Sequence, residues 1–255
     1  MGNTVGQTAL FVVKLGNLMI ILSIDTATDG VSVAIADGTR VLASSEVRSE
    51  KQHAEVLTTM IDFVRKQAGV SFGDVGAVAV DIGPGLFTGM RVGIASAKAI
   101  AQVLDVPIIG VTSLDILATA VGVTDDVIAC VIDARRGEVY WSLYRYIDGK
   151  LRQVTTPQAS TVEECALQTI DRGQSTLFVG NGALCYRNEI ELVVAGVLPS
   201  FEFADDMAAL PTAVVLAQIA HERALRQEWQ EADTLVPEYL RLPDAEINWA
   251  TRSAS

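Results

Sequence analysis

Three stretches of this 255-residue chain carry residues whose types and spacing could do chemistry. In "IILSIDTAT" an apolar, β-rich run ends in Asp25, followed by Thr26 and Thr28. A strand-end carboxylate followed by hydroxyls and turn amides can hold phosphate oxygens or Mg2+. Asp25, Thr26 and Thr28 are therefore candidate nucleotide ligands; the competing reading is an Asx or Ser/Thr turn leaving the strand. "VIACVID" ends in Asp133 in the same way, but Ala134, Arg135 and Arg136 follow, which is not a second phosphate loop. The third stretch, "DIGPGLFTGMRVGIASAKAIAQVLDVPIIGV", puts a Gly-rich loop at the mouth of a helix, a common seat for phosphate. It lacks the Gly-Lys-Ser/Thr ending of a P-loop and is not GxGxxG. Gly83, Pro84 and Gly85 instead predict a sharp turn that carries Leu86 and Phe87.

Other chemistry is thinly represented. The two histidines, His53 and His221, are far apart, and neither HxxxH nor HExxH occurs. That excludes a His-rich metal site, and no Ser or Cys has an identifiable His and Asp companion set. Cys130, Cys165 and Cys185 are odd in number and lack CxxC spacing, which fits reduced thiols. The formal net charge of −12 opposes unaided binding to a phosphate backbone, so contact with nucleic acid would come through a partner.

The elements that position these residues follow from pattern. "MIILSID", "VSVAIA" and "TRVLASSE" read as a three-stranded meander, the last two joined by Asp37–Gly38. His53, Leu57, Met60 and Val64 recur at four, three and four, which predicts one face of a helix over 53–68. "VGAVAVD" is a buried strand, and the Gly-rich loop leads into a helix from about 88 to 104. "PIIGV" is a further strand, and Thr112 or Ser113 caps a short helix. The order then restarts: strand 127–133, an aromatic-rich strand, a return strand, helix "TVEECALQTI" and strand "TLFVG", after which "NGAL" opens a loop. Pro211 sits near the start of a long closing helix. The pattern predicts an α/β fold of two similar lobes, each a mixed five-stranded sheet with helices. The expected boundaries are 19–112 for the first lobe, closed by 211–241, and 113–210 for the second, with a tail at 242–255. Residues 1–18 read as an upstream extension. The run "ALFVVKLGNLMIILSID" is interrupted by Lys14 and Asn17 and falls short of the roughly 20 apolar residues of a spanning helix. No membrane association is expected, and the location expected is the cytoplasm.

Helix 88–104 has two apolar faces. Gly89, Gly93, Ala97 and Ala101 form a stripe of small residues that lets another helix approach closely; the competing reading is that the stripe packs against the chain's own sheet. Ile94, Ile100 and Val103 form a different face that could serve the chain's own sheet.

Together, "ILSIDTAT", "HAEVLTTMIDFV", "GPGLFTGMRVGIASAKAIA", "IIGVTSLDILA", "DARRGEVYW" and "PEYLR" resemble the TsaB family, formerly YeaZ, in that family's order across most of 19–241. The resemblance implies duplicated actin-like, sugar-kinase-like ATPase (ribonuclease-H-like) lobes. It implies a non-catalytic subunit, with no catalytic residue and no metal of its own. That subunit binds and supports TsaD, the catalytic protein that transfers a threonylcarbamoyl group to adenosine 37 of tRNAs reading codons that begin with A. It also implies a second partner, the ATPase TsaE, a homodimer when TsaD is absent, and tRNA contact only through the complex. ATP and Mg2+ would belong to the subunit interface or to the partner. The catalytic paralogue's HxxxH is broken here, with Leu57 four residues after His53, and Leu86 replaces the Ser of the family's GPGSFTG loop. The family's heterodimer contact lies on the helices matching 53–68 and 88–104. The residues so implicated are His53, Leu57, Met60, Ile61, Val64, Leu86, Phe87, Gly89, Met90, Gly93, Ile94 and Ala97. The alternative is an enzyme of the same superfamily, a weak ATPase or a glycoprotease-like hydrolase.

Overall fold

A computed structural model describes residues 19–48 and 53–241. The expected extension at 1–18, the tail at 242–255 and the side chain of His53 lie outside the described residues. Two compact units divide the chain. Of the described residues, the first takes in 19–48, 53–82, Gly89–Val111 and Thr212–Val236; the second takes in Gly83–Thr88, Thr112–Pro211 and 237–241.

In the first unit β1 (Ile20–Asp25), β2 (Gly30–Asp37) and β3 (Arg40–Arg48) form the meander. α1 (His53–Ala68), β4 (Val75–Asp81), α2 (Phe87–Leu104) and β5 (Ile108–Val111) follow. The sheet order is β3-β2-β1-β4-β5. β1 pairs antiparallel with β2 and parallel with β4, and β4 pairs parallel with β5. β4 is buried at every position and β1 at all but its first, as strands covered on both faces require. α7 (Ala213–Leu225) returns to this unit. Its start is tied to the sheet: the Ala213 N–H donates to Ser32 Oγ, and Ser23 Oγ donates 2.8 Å to the Ala213 carbonyl.

The second unit repeats the plan. After α3 (Ser113–Val121) come β6 (Val127–Arg135), β7 (Glu138–Ile147), β8 (Lys150–Gln153), β9 (Gln158–Thr161) and α4 (Val162–Ile170). β10 (Thr176–Val179), α5 (Asn181–Cys185), α6 (Arg187–Val194) and β11 (Phe201–Phe203) complete it. The order β8-β7-β6-β10-β11 reproduces β3-β2-β1-β4-β5 strand for strand. The molecule is thus α/β with one lobe topology present twice.

Three details differ from the pattern reading. The second sheet has six strands, because β9 pairs with β7 beside β8. "NGAL" opens a short helix, α5, rather than a loop. The closing helix is capped by Thr212, whose Oγ1 accepts from the Val215 N–H, so Pro211 precedes the cap.

Candidate functional site

β1 delivers Asp25 to its C-terminal end, and parallel pairing with β4 sets Ile24 opposite Val80. Asp81, the last residue of β4, therefore ends its strand beside Asp25. Asp25, Thr26, Thr28 and Asp81 are each at most 2% exposed. Their polar atoms are largely occupied within the chain. The Ala27 N–H donates 2.9 Å to Asp25 Oδ1, an Asx turn. Thr26 Oγ1 donates 2.7 Å to the Gly89 carbonyl on the first turn of α2. Burial first, then the negative charge of Asp81 and a hydrogen bond with it, hold the Asp25 carboxyl well above the usual carboxylate range. Asp25 Oδ1 is engaged by the Ala27 amide and Thr26 already donates inward, which leaves little of this strand end facing an incoming phosphate. Of the candidate nucleotide ligands only Thr28 keeps a buried Oγ1 with no hydrogen-bond partner. The reading as a turn leaving the strand describes this site better than an open phosphate cradle. Asp81 was not among the sequence candidates, although "VGAVAVD" ends in Asp just as "IILSID" does.

The helices that were assigned to a partner face inward at the assigned residues. Leu57, Met60, Ile61 and Val64 on α1 and Met90, Ile94 and Ala97 on α2 join Leu22, Ile24, Val33 and Val78 in one core. Gly89 and Gly93 are buried with them. A Cβ at Gly93 would lie 2.3 Å from Thr26 Oγ1 and 3.8 Å from Ile24 Cγ2. The small-residue stripe thus seats α2 on the chain's own β1, the second of the two readings of the pattern, and not on another protein. Side chains larger than hydrogen at Gly93 would hold the helix off the strand end. Leu86 and Phe87 are half-buried, and the Phe87 ring stacks on Tyr239 with centroids 5.5 Å apart.

What α2 leaves outward is the other face. Ala95, Ala99 and Val103 are exposed at spacings of four, flanked by half-buried Val92, Ser96 and Ile100. Val103 is 84% exposed, and Phe63 on α1 is 51% exposed. Of the residues expected to serve the sheet, Ile94 is in the core, Ile100 is only partly covered and Val103 faces out, so that expectation fails at Val103 alone.

At the end of β6 the equivalent Asp133 sits in an open network. The Arg135 N–H donates 2.8 Å and Tyr186 Oη 3.0 Å to Asp133 Oδ1, while the Asp133 N–H donates 3.1 Å to Asn181 Oδ1. Arg135, Arg136 and Gly137 turn with successive φ of 68°, 61° and 78°. The Gly137 N–H donates 3.2 Å to Tyr186 Oη, and Arg241 donates to Glu138 at 2.6 Å. Burial first, then the bond to Asp133, raises the Tyr186 phenol.

Among the described residues no group of three or more His, Cys, Asp or Glu is placed to hold a metal ion, and no helix is long and apolar enough to cross a membrane.

The profile of the family described as "TsaD: tRNA N6-adenosine threonylcarbamoyltransferase" matches residues 43–249. A Bacillus subtilis protein named "tRNA threonylcarbamoyladenosine biosynthesis protein TsaB" is 32% identical over 91% of this chain and 98% of its own length. A Haemophilus influenzae protein of the same name is 28% identical over 91% and 96%. A Pseudomonas aeruginosa crystal structure, described as an uncharacterized protein with similarity to peptidase YeaZ, superposes with a TM-score of 0.73 at 28% identity, over 88% of this chain and all of that one.

Proposed function

The chain belongs to the TsaB family of tRNA threonylcarbamoyladenosine biosynthesis proteins, and from that membership we propose that it serves this pathway as a non-catalytic subunit paired with TsaD. In this reading TsaD transfers the threonylcarbamoyl group to adenosine 37. The present chain covers and orders the first-lobe helices of its partner. TsaE joins the pair, tRNA reaches the chain only through the complex, and the same surface forms a homodimer when TsaD is absent. The reaction would be cytoplasmic.

The observation that carries the reading is the two-faced character of α2. Its inner stripe lies on β1, and its outer row of Ala95, Ala99 and Val103 is apolar and uncovered. Small outward residues at spacings of four let a second helix pack closely, and a Val or Phe side chain such as Val103 or Phe63 gains about 1.5–3 kcal/mol when fully covered. The closed state of Asp25 and Thr26 supports the non-catalytic part, since the strand end that would hold a nucleotide phosphate is sealed by α2.

Ala99→Glu tests the pairing. The residue is exposed and Glu is a good helix former, so the isolated chain should keep its stability within about 0.5 kcal/mol. Mixed with TsaD, the variant should elute as separate proteins on size exclusion, and reconstituted tRNA modification should fall to the level seen without this subunit. A full-strength complex would remove α2's outer face from the interface.

A further inference from the structure

A pocket of about 330 Å3 opens between the β2–β3 hairpin turn and the last turns of α7. Its walls differ in kind. Asp37 and Arg40 stand opposite each other across the hairpin, His221 comes from α7, and Met19 and Leu225 supply hydrocarbon. The turn runs close under the imidazole: Gly38 takes a φ of +62°, and a Cβ there would lie 3.6 Å from His221 Nε2. Two atoms of the lining residues have no account in the fold. Asp37 Oδ1 and His221 Nδ1 are shut off from water and have no hydrogen-bond partner among the described residues. Buried polar groups are bonded in the great majority of cases, so two such atoms on residues of one pocket mark a place where a ligand would complete the bonding.

The lining dictates the ligand. A carboxylate oxygen calls for a donor, best a cationic one, and a guanidinium calls for a carboxylate or phosphate. The walls of Met19 and Leu225 call for an aliphatic group. A His and an Asp alone fall short of the three or four protein ligands of a metal site. The volume lies at the small end of the range for small-molecule sites, about 300–1,000 Å3. We propose that this pocket binds a free α-amino acid with an aliphatic side chain. Its ammonium donates to Asp37 Oδ1 and, with the imidazole proton on Nε2, to His221 Nδ1. Its carboxylate accepts from Arg40, and its side chain lies on Met19 and Leu225. In this binding mode the Asp37 carboxylate and the His221 ring turn about their side-chain bonds so that the two orphaned atoms face the ligand. The proposal rests on no part of the pairing with TsaD.

Calorimetric titration of the full chain with leucine, 3-methylbutylamine and 4-methylpentanoate separates the three contacts. Leucine should bind, and each analogue, lacking one charge, should bind at least about tenfold more weakly. Asp37→Asn and Arg40→Met should each weaken leucine by a similar factor. Leu225→Trp, which fills the pocket from an exposed position, should abolish the heat while leaving circular dichroism and the melting temperature unchanged. No heat from leucine at about 1 mM, amine binding equal to leucine, or undiminished binding by Leu225→Trp would each overturn the proposal.

Discussion

The ends of β1 and β6 hold the same topological position in two lobes of the same strand order, yet they differ in almost everything else. Asp25 is 1% exposed and lies beside Asp81 under α2, where burial and the charge of Asp81 raise its pKa. Asp133 bonds to a phenol and a backbone amide at the start of a turn carrying two arginines, and Arg135 Nη1 approaches its Oδ2 at 3.4 Å. An acidic residue at a strand's end is therefore not a function in itself. What covers it decides whether it is a sealed core group or a member of an open network of hydrogen bonds and charges.

The cover can be forced off in the first lobe. Both lobes bring a helical glycine onto the strand end: a Cβ at Gly93 would meet Thr26 Oγ1 at 2.3 Å, and one at Gly182 would meet the Asp133 backbone N at 2.8 Å. Gly93→Leu gains up to about 1 kcal/mol in helix propensity. It must nonetheless push α2 away from β1, at a net loss of about 3 kcal/mol or more. The urea midpoint of the isolated chain measures this. A native midpoint would mean that α2 is not seated on β1 and that the inner stripe is free for a partner after all.

The second test reads the sealed end by pH. The folded-state pKa of Asp25 is raised, by burial and by Asp81, above its unfolded value of about 4. The folded state then holds the proton more tightly than the unfolded chain. The stabilisation is fully present below about pH 4 and is lost as pH rises from there through the raised folded pKa. Melting temperatures across that window should fall with pH in the wild type, and Asp25→Asn, which mimics the protonated form, should flatten the slope. An unchanged slope in the variant would show that Asp25 is ionised in the fold and would remove the contrast with Asp133.

The sequence made the strands legible because their signal is local. "IILSID" and "VIACVID" are apolar throughout, as strands buried on both faces must be, and the helices at His53–Ala68 and Phe87–Leu104 follow from period and loop chemistry. Family membership was legible from motifs in order. The direction in which α2 faces was not, because a helix apolar on two sides carries no mark of which side is inward. The inward side is the one that meets distant partners, the β1 core and Thr26, which bonds the Gly89 carbonyl from 63 residues away. β9 escaped notice because Gln158–Thr161 is mostly polar and pairs only at a sheet edge, and the five residues of α5 are too few to show a period. Asp81 was readable as a strand end but not as a neighbour of Asp25, since parallel register is set by the whole crossover rather than by either strand.

The smallest expected effect is at the open end. Tyr186→Phe deletes a hydroxyl that donates to Asp133 and accepts from the Gly137 N–H. Gly137 is exposed and Asp133 half-buried, so water can take over both bonds, and the loss should stay near 0.5–1.5 kcal/mol by chemical denaturation. Asp133 would keep the Arg135 amide and the nearby guanidinium, so its charge remains compensated. A loss as large as that of Gly93→Leu would mean that the end of β6 is sealed as tightly as the end of β1. The two lobes would then differ in the residues at their strand ends and not in how those ends are covered.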